Sequence, residues 1–198
     1  MIRELSVLLL CAALMAGCGS PPKERFYVLG NADRTPPADS KAVTYSVDVD
    51  SINLPESIDR PQMILHTGPN QVELSELNRW AEPLKKAIPR YISSQLAQQL
   101  GTRRVYTYPQ RAVPDADYRV AIDILRLEAL PKQQEVILES LWSVDQGIRG
   151  ELKSGHSLIR EPATAGDYDA LVAAHERALA RLSIDIAESV KAMELARK

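Results

Sequence analysis

Residues 77–101 read Leu77-Asn78-Arg79-Trp80-Ala81-Glu82-Pro83-Leu84-Lys85-Lys86-Ala87-Ile88-Pro89-Arg90-Tyr91-Ile92-Ser93-Ser94-Gln95-Leu96-Ala97-Gln98-Gln99-Leu100-Gly101. Apolar side chains fall at 77, 81, 84, 88, 92, 96 and 100, a spacing that lines them along one side of an α-helix. Gly101 stands just past the last of them, where helices commonly end in a left-handed turn. The pattern predicts an amphipathic helix over 77–100, with Pro83 tolerated in its first turn. Pro89 lacks a backbone N–H and crowds the carbonyl of Lys85, so a kink or break is expected there. A helix with one apolar stripe has to bury it against another layer, and the flanking sequence supplies strands.

Upstream, residues 25–29 form a short aromatic-aliphatic strand, and 30–41 a polar loop punctuated by Asn31, Pro36 and Pro37. Val43, Tyr45, Val47 and Val49 alternate with Thr44, Ser46 and Asp48, the period of a half-buried strand, which Pro55 closes. Residues 62–66 and 71–74 read as a hairpin turning at Gly68-Pro69-Asn70. Downstream, 104–108 is a strand. Tyr118, Val120, Ile122 and Ile124 alternate until Leu125 and Leu127 change face, which a bulge near Ile124 or Leu125 would explain. Val136, Leu138, Leu141, Trp142 and Val144 lie on a long strand, with Trp142 in the core, and a tight turn at Asp145-Gln146-Gly147 leads to another over 147–161. Asp167 can cap a final helix carrying Leu171, Ala174, Ala178, Leu182, Ile186 and Val190 on one stripe, with His175, Glu176, Arg181 and Glu188 outside it. Strands, helix, strands, helix: the economical packing is α/β, a mixed sheet covered by two main helices.

The first residues concern location. Arg3 precedes an apolar run over 5–14 that ends in Met15-Ala16-Gly17-Cys18, followed by Gly19-Ser20-Pro21-Pro22. A basic start, about ten apolar residues and small residues before a cut make an export signal, and the run is shorter than the ~20 residues a membrane span requires. Residues 1–17 are read as a lipoprotein signal peptide, Cys18 as the lipid attachment site, 18–24 as a tether, and 25–198 as one domain; a plainly secreted protein is the alternative. Cys18 would carry several acyl chains, which stable anchoring needs. Gly19, where an Asp would favour the inner membrane in enteric-type lipoproteins, points by resemblance to the outer membrane and its periplasmic face. Cys11 lies in the removed segment, so no disulfide is available to the mature chain. A formal net charge of −2 with no like-charge block of five residues argues against nucleic acid as a partner.

Catalytic constellations do not assemble. There is no G-x-S-x-G elbow and no phosphate-cradling glycine loop, and His66, His156 and His175 lie far apart without zinc-ligand spacing. Asp48/Asp50 and Asp115/Asp117 read as solvated edge or turn formers. No enzyme, metal or cofactor is expected, apart from the covalent lipid on Cys18.

Ile52-x-Leu54-Pro55 with Asp59-Arg60-Pro61-Gln62, then Asn70, Val72 and Arg79-Trp80-Ala81-Glu82-Pro83-Leu84, resemble the signature of the auxiliary lipoproteins of Pqi-type ABC transporters, the PqiC/YmbA family. Asp169-Ala170-Leu171-Val172, Ala174, Ala178-Leu179 and Leu182-Ser183-x-Asp185-Ile186-Ala187 are similar to its last helix, and the likeness begins at Phe26-Tyr27-x-Leu29. The resemblance implies a three-layer fold similar to the TolB N-terminal domain. It also implies a docking role beside an MCE-domain periplasmic protein in intermembrane lipid transport, with a homo-oligomer compatible. Arg60, Pro61, Arg79 and Trp80 are candidate partner contacts, since Arg and Trp favour interface hot spots, or else structural residues, with Trp80 in the core and Arg60 paired to Asp59 or a helix end. A free-standing lipoprotein carrying a lipid or hydrophobic ligand is the competing reading and requires an enclosed apolar pocket.

Overall fold

The computed structural model describes residues 22–30, 43–107, 115–147 and 150–197. Its elements run β1 (Arg25–Tyr27), β2 (Val47–Asn53), β3 (Gln62–Gly68), β4 (Gln71–Trp80), α1 (Leu84–Leu100), β5 (Val105–Thr107), β6 (Tyr118–Leu130), β7 (Glu135–Asp145), β8 (Leu152–Pro162) and α2 (Tyr168–Ala196). The strands form one eight-stranded mixed sheet. β6 is its spine: it pairs in parallel with β2 along its first half and with β3 at Ala129, and antiparallel with β7 along its whole length. β4 joins β3 antiparallel and β1 joins β4 in parallel, while β8 lies outside β7 and pairs with no other described strand. The chain is therefore mixed α/β, with two helices packed on the sheet.

The two helices lie side by side on one face. Val47 and Val49 of β2, Tyr118, Val120 and Ile122 of β6, and Leu138 and Val144 of β7 point into the core against Ile88, Ile92 and Leu96 of α1 and Ala178, Leu182, Ile186 and Val190 of α2. On the other face of β6–β8, Leu125, Leu141, Leu152 and Leu158 stand exposed.

Several expectations from the sequence hold. The register of β6 against β7 shifts between Ile124 and Arg126, which is the bulge that Leu125 and Leu127 call for. Asp167 caps α2, its carboxylate accepting from Ala170 N at 3.1 Å. Gly101 closes α1 at φ +65°, with N–H groups of the cap returning to Ala97 and Gln98.

Others need correction. Residues 77–80 are strand, not helix: β4 continues to Trp80 and α1 begins at Leu84. The cause is Pro83, whose ring keeps Glu82 out of the helical region, so the apolar spacing of Leu77 and Ala81 with the stripe is coincidental. Pro83 itself is the N-cap, at φ −56° and ψ 132°, and not part of the first turn. α1 runs through Pro89 unbroken. β2 starts at Val47 and reaches Asn53, later than the alternation from Val43 implies, because its parallel partners β5 and β6 begin at Val105 and Tyr118. β8 starts at Leu152: the connection from β7 is longer than a tight turn and closes with Gln146 N donating to Glu151 O at 2.9 Å. His175 is buried rather than outside the stripe, and so is Asp48, expected at a solvated edge. Cys18, residues 1–17 and most of the 30–41 loop lie outside the described residues.

Candidate functional site

Pairing of β3 with β4 brings the two halves of the family-like signature together. Gln62 stands opposite Arg79, and Trp80 N donates to Pro61 O at 2.7 Å. β1 then lines up with the same residues, Phe26 beside Arg79 and Tyr27 beside Trp80, and Ala81 N donates to Tyr27 O at 2.8 Å. Three separate stretches thus converge at one corner of the sheet, just after residues 22–24.

Within that corner the four candidate contact residues have different surroundings. Pro61 is exposed. Arg79 is half-buried; its Nε donates to Glu76 O at 2.9 Å, and its guanidinium lies 3.6 Å from Glu24 and 3.5 Å from Glu76. Trp80 belongs to the core, its ring meeting the His175 imidazole edge-on at a centroid distance of 5.5 Å. The Arg60 Nε is buried and has no hydrogen-bond partner among the described residues.

His175 sits beneath Trp80, its Nδ1 2.8 Å from Leu171 O, and burial holds its pKa below the ordinary histidine value, with the backbone contact opposing. It is a neutral core imidazole. His156 is on the surface, 3.1 Å from Glu139 Oε1, and His66 lies on β3. Among the described residues no group of three or more His, Cys, Asp and Glu is placed to hold a metal. Asp117 accepts from both Ser46 N and Ser46 Oγ, at 2.8 and 2.9 Å, and so fastens the entry of β2 to that of β6. Asp48 is pushed up from the ordinary carboxyl value by burial and by Asp50, with Arg119 opposing.

Next to the convergence corner, α1 starts without a side-chain cap of its own. Asp59 supplies the acceptor instead, its Oδ1 3.4 Å from Lys85 N, placing negative charge at the positive end of the helix. Glu82 and Arg90 form a two-pronged ion pair across the first turns of α1, which raises the Arg90 pKa. These groups rim an open groove of about 840 Å³ between β2 and α1, bordered also by Asp50, Lys85 and Lys86. Inside that charged rim, Val49, Ile52, Pro83 and Pro89 give it a largely apolar lining. A second open groove, of about 500 Å³, separates α1 from α2. There Gly30, at φ +81°, donates its N–H to Glu176 Oε1 at 2.7 Å, and a Cβ would stand 2.7 Å from the Tyr91 ring, so glycine alone fits. Two smaller pockets, one between β3, β6 and the start of α2 and one beside Trp80, measure about 50 and 20 Å³.

Sequence reading found the Arg60-Pro61 and Arg79-Trp80 pairs but not the Asp59 cap, the Glu82–Arg90 pair or the burial of His175. The Asp59 contact spans 26 residues, and only the fold makes it.

Two solved proteins share this fold. One solved protein of unassigned function superposes with a TM-score of 0.68 at 16% identity, covering 85% of this chain and 99% of its own. A Xanthomonas campestris protein of the DUF330 family does so at 0.66 and 17% identity, covering 88% and 99%. The PelC dodecamer from Paraburkholderia phytofirmans gives 0.44 at 12% identity, covering 82% and 91%. No curated protein matches the chain. The family model of the ABC-type transport auxiliary lipoprotein component matches residues 27–187, from the last residue of β1 to the twentieth of the 29 residues of α2. The chain belongs to that family, of the PqiC/YmbA type.

Proposed function

We propose that this protein is the outer-membrane lipoprotein subunit of a Pqi-type, MCE-domain intermembrane lipid transport system. In this reading it is anchored through acylated Cys18, faces the periplasm, and acts by docking without turnover. The observation that carries the reading is the family match over 27–187 behind a lipobox-like Met15-Ala16-Gly17-Cys18. Two further features support it. The tether leads within a few residues into β1, so the convergence corner and its charged groove stay near the membrane surface. Confinement there raises the effective concentration of any partner, so modest contacts suffice.

A free-standing lipid carrier would need a cavity of roughly 300 Å³ or more. By volume the groove of about 840 Å³ between β2 and α1, largely apolar inside its charged rim, meets that requirement, so the docking reading rests on the family match over 27–187 and not on the want of a cavity. Affinity purification of the acylated chain from membranes tests the assignment: the MCE-domain protein and its permease are expected to co-purify. Recovery of the chain without either would overturn it.

A further inference from the structure

The single phenylalanine of the chain, Phe26, stands 61% exposed in the middle of β1. That strand is three residues long, lies at one end of the sheet and pairs only with β4 among the described strands. Tyr27 and Leu29 turn into the core, so by alternation Phe26 and Val28 point to the other side, where Val28 is 36% exposed. Register with β4 sets Phe26 beside Arg79, and Leu77, two residues before Arg79, is a third exposed apolar side chain at 38%. The acids beside this patch are engaged: Glu24 and Glu76 both reach the Arg79 guanidinium. Lys23 and Arg25 are exposed and form no ion pair among the described residues.

We propose that the β1 edge of the domain rests on the bilayer that holds the tether, with Phe26 and Val28 entering the headgroup layer of an anionic phospholipid surface and Lys23 and Arg25 lying against its phosphates. The inference rests on the anchoring reading of Cys18 and adds to it a second point of contact and an orientation. Chain length argues for this occupant. Cys18 and Phe26 are eight residues apart, so Phe26 stands within about 28 Å of the anchored residue even at full extension. Leu125, Leu141, Leu152 and Leu158 are also exposed but sit on β6–β8, with β4 and β3 between them and β1. Charge argues the same way: residues 22–30 carry two unpaired cations and no acid other than Glu24, which Arg79 engages. A negative lipid surface attracts such side chains within about 10 Å, and an aromatic ring beside them is the composition of segments that settle at the interface. One ring supplies little affinity alone. Confinement by the tether makes that small contribution sufficient to orient the domain, and the β8 end of the sheet is turned away from the bilayer.

The test supplies the tether artificially. The chain from Gly19 to Lys198, with a hexahistidine segment in place of Cys18, is bound to vesicles of equimolar phosphatidylethanolamine and phosphatidylglycerol that contain nickel-chelating lipid. It has no cysteine of its own, so Val28→Cys or Leu158→Cys provides a single site for a nitrobenzoxadiazole dye. Nitroxide-labelled lipid is expected to quench the dye at 28 roughly threefold or more as strongly as at 158, which is equally open to solvent but at the other end of the sheet. Adding Phe26→Asp, or Lys23→Glu together with Arg25→Glu, is expected to remove about half or more of the quenching at 28 without changing the circular dichroism, because all three side chains are exposed. Quenching at 28 that falls short of this ratio, as for a domain lying flat or tumbling on its tether, overturns the proposal, and so does quenching at 28 that survives both sets of substitutions. Because the tether is supplied, a bare native N-terminus would contradict the anchoring reading, while the quenching ratio judges the contact itself.

Discussion

Trp142 and Gly155 face each other across β7 and β8, and a Cβ on residue 155 would lie 2.2 Å from the Trp142 ring. The indole cannot retreat easily, because its Nε1 donates to Ser157 Oγ at 3.0 Å and Ser157 in turn donates to Asp185 on α2. Gly155→Ala should therefore lower stability by about 1–3 kcal/mol, the usual cost of overpacking, read as a lower urea midpoint; an unchanged midpoint would mean that the ring is not wedged. His175 makes a second prediction at this scale. Burial depresses its pKa below 6.5. The unfolded chain therefore binds a proton that the folded chain refuses, and stability falls as pH drops below about 6.5. Denaturation midpoints between about pH 7 and 5 should decline for the native chain and flatten for His175→Leu. Asp48 works in the opposite sense at lower pH, since its raised pKa makes the folded chain the better proton acceptor. Equal slopes in the two chains would show that His175 is not the group responsible.

The Asp167 cap is an N-terminal device for α2, and Asp167→Ala should cost about 1 kcal/mol in urea unfolding, because Ala170 N loses its acceptor. Glu161, almost fully buried on β8, binds Arg177 at 2.8 Å and Arg181 at 3.2 Å, tying the edge strand to the helix above it. Glu161→Gln should destabilise measurably, by roughly 1–2 kcal/mol after allowing for the solvent around both arginines; hydrogen exchange should speed up in β8 before it does in β6, and uniform exchange would contradict a local tie. Element by element, local patterns were legible: the alternation of β6, the hairpin of β3 and β4, the Asp167 cap and the Gly101 stop can all be read from neighbouring residues. What escaped depends on distant ones. Leu77 and Trp80 suit either a helical stripe or a strand, and the choice falls to Pro83 and to the partners Phe26 and Tyr27 across β1. His175 looks like a surface residue until Trp80 arrives over it. The candidate corner was half legible, since Arg60-Pro61 and Arg79-Trp80 are distinctive pairs, but their meeting through Gln62 and Arg79 is a product of register.

Across the whole molecule, β1 and β8 lie at opposite ends of one sheet, joined through β4, β3, β6 and β7. Both helices cover one face of the sheet, and the grooves of about 840 and 500 Å³ flank α1 on its two sides. This arrangement serves its proposed role only if the domain is held at a membrane by Cys18. Intact mass measurement of the mature chain isolated from the envelope tests that most directly. An N-terminus at Cys18 bearing acyl chains is expected, with Cys18→Ser moving the protein to the soluble fraction; an unmodified N-terminus on a freely soluble native chain would contradict membrane anchoring.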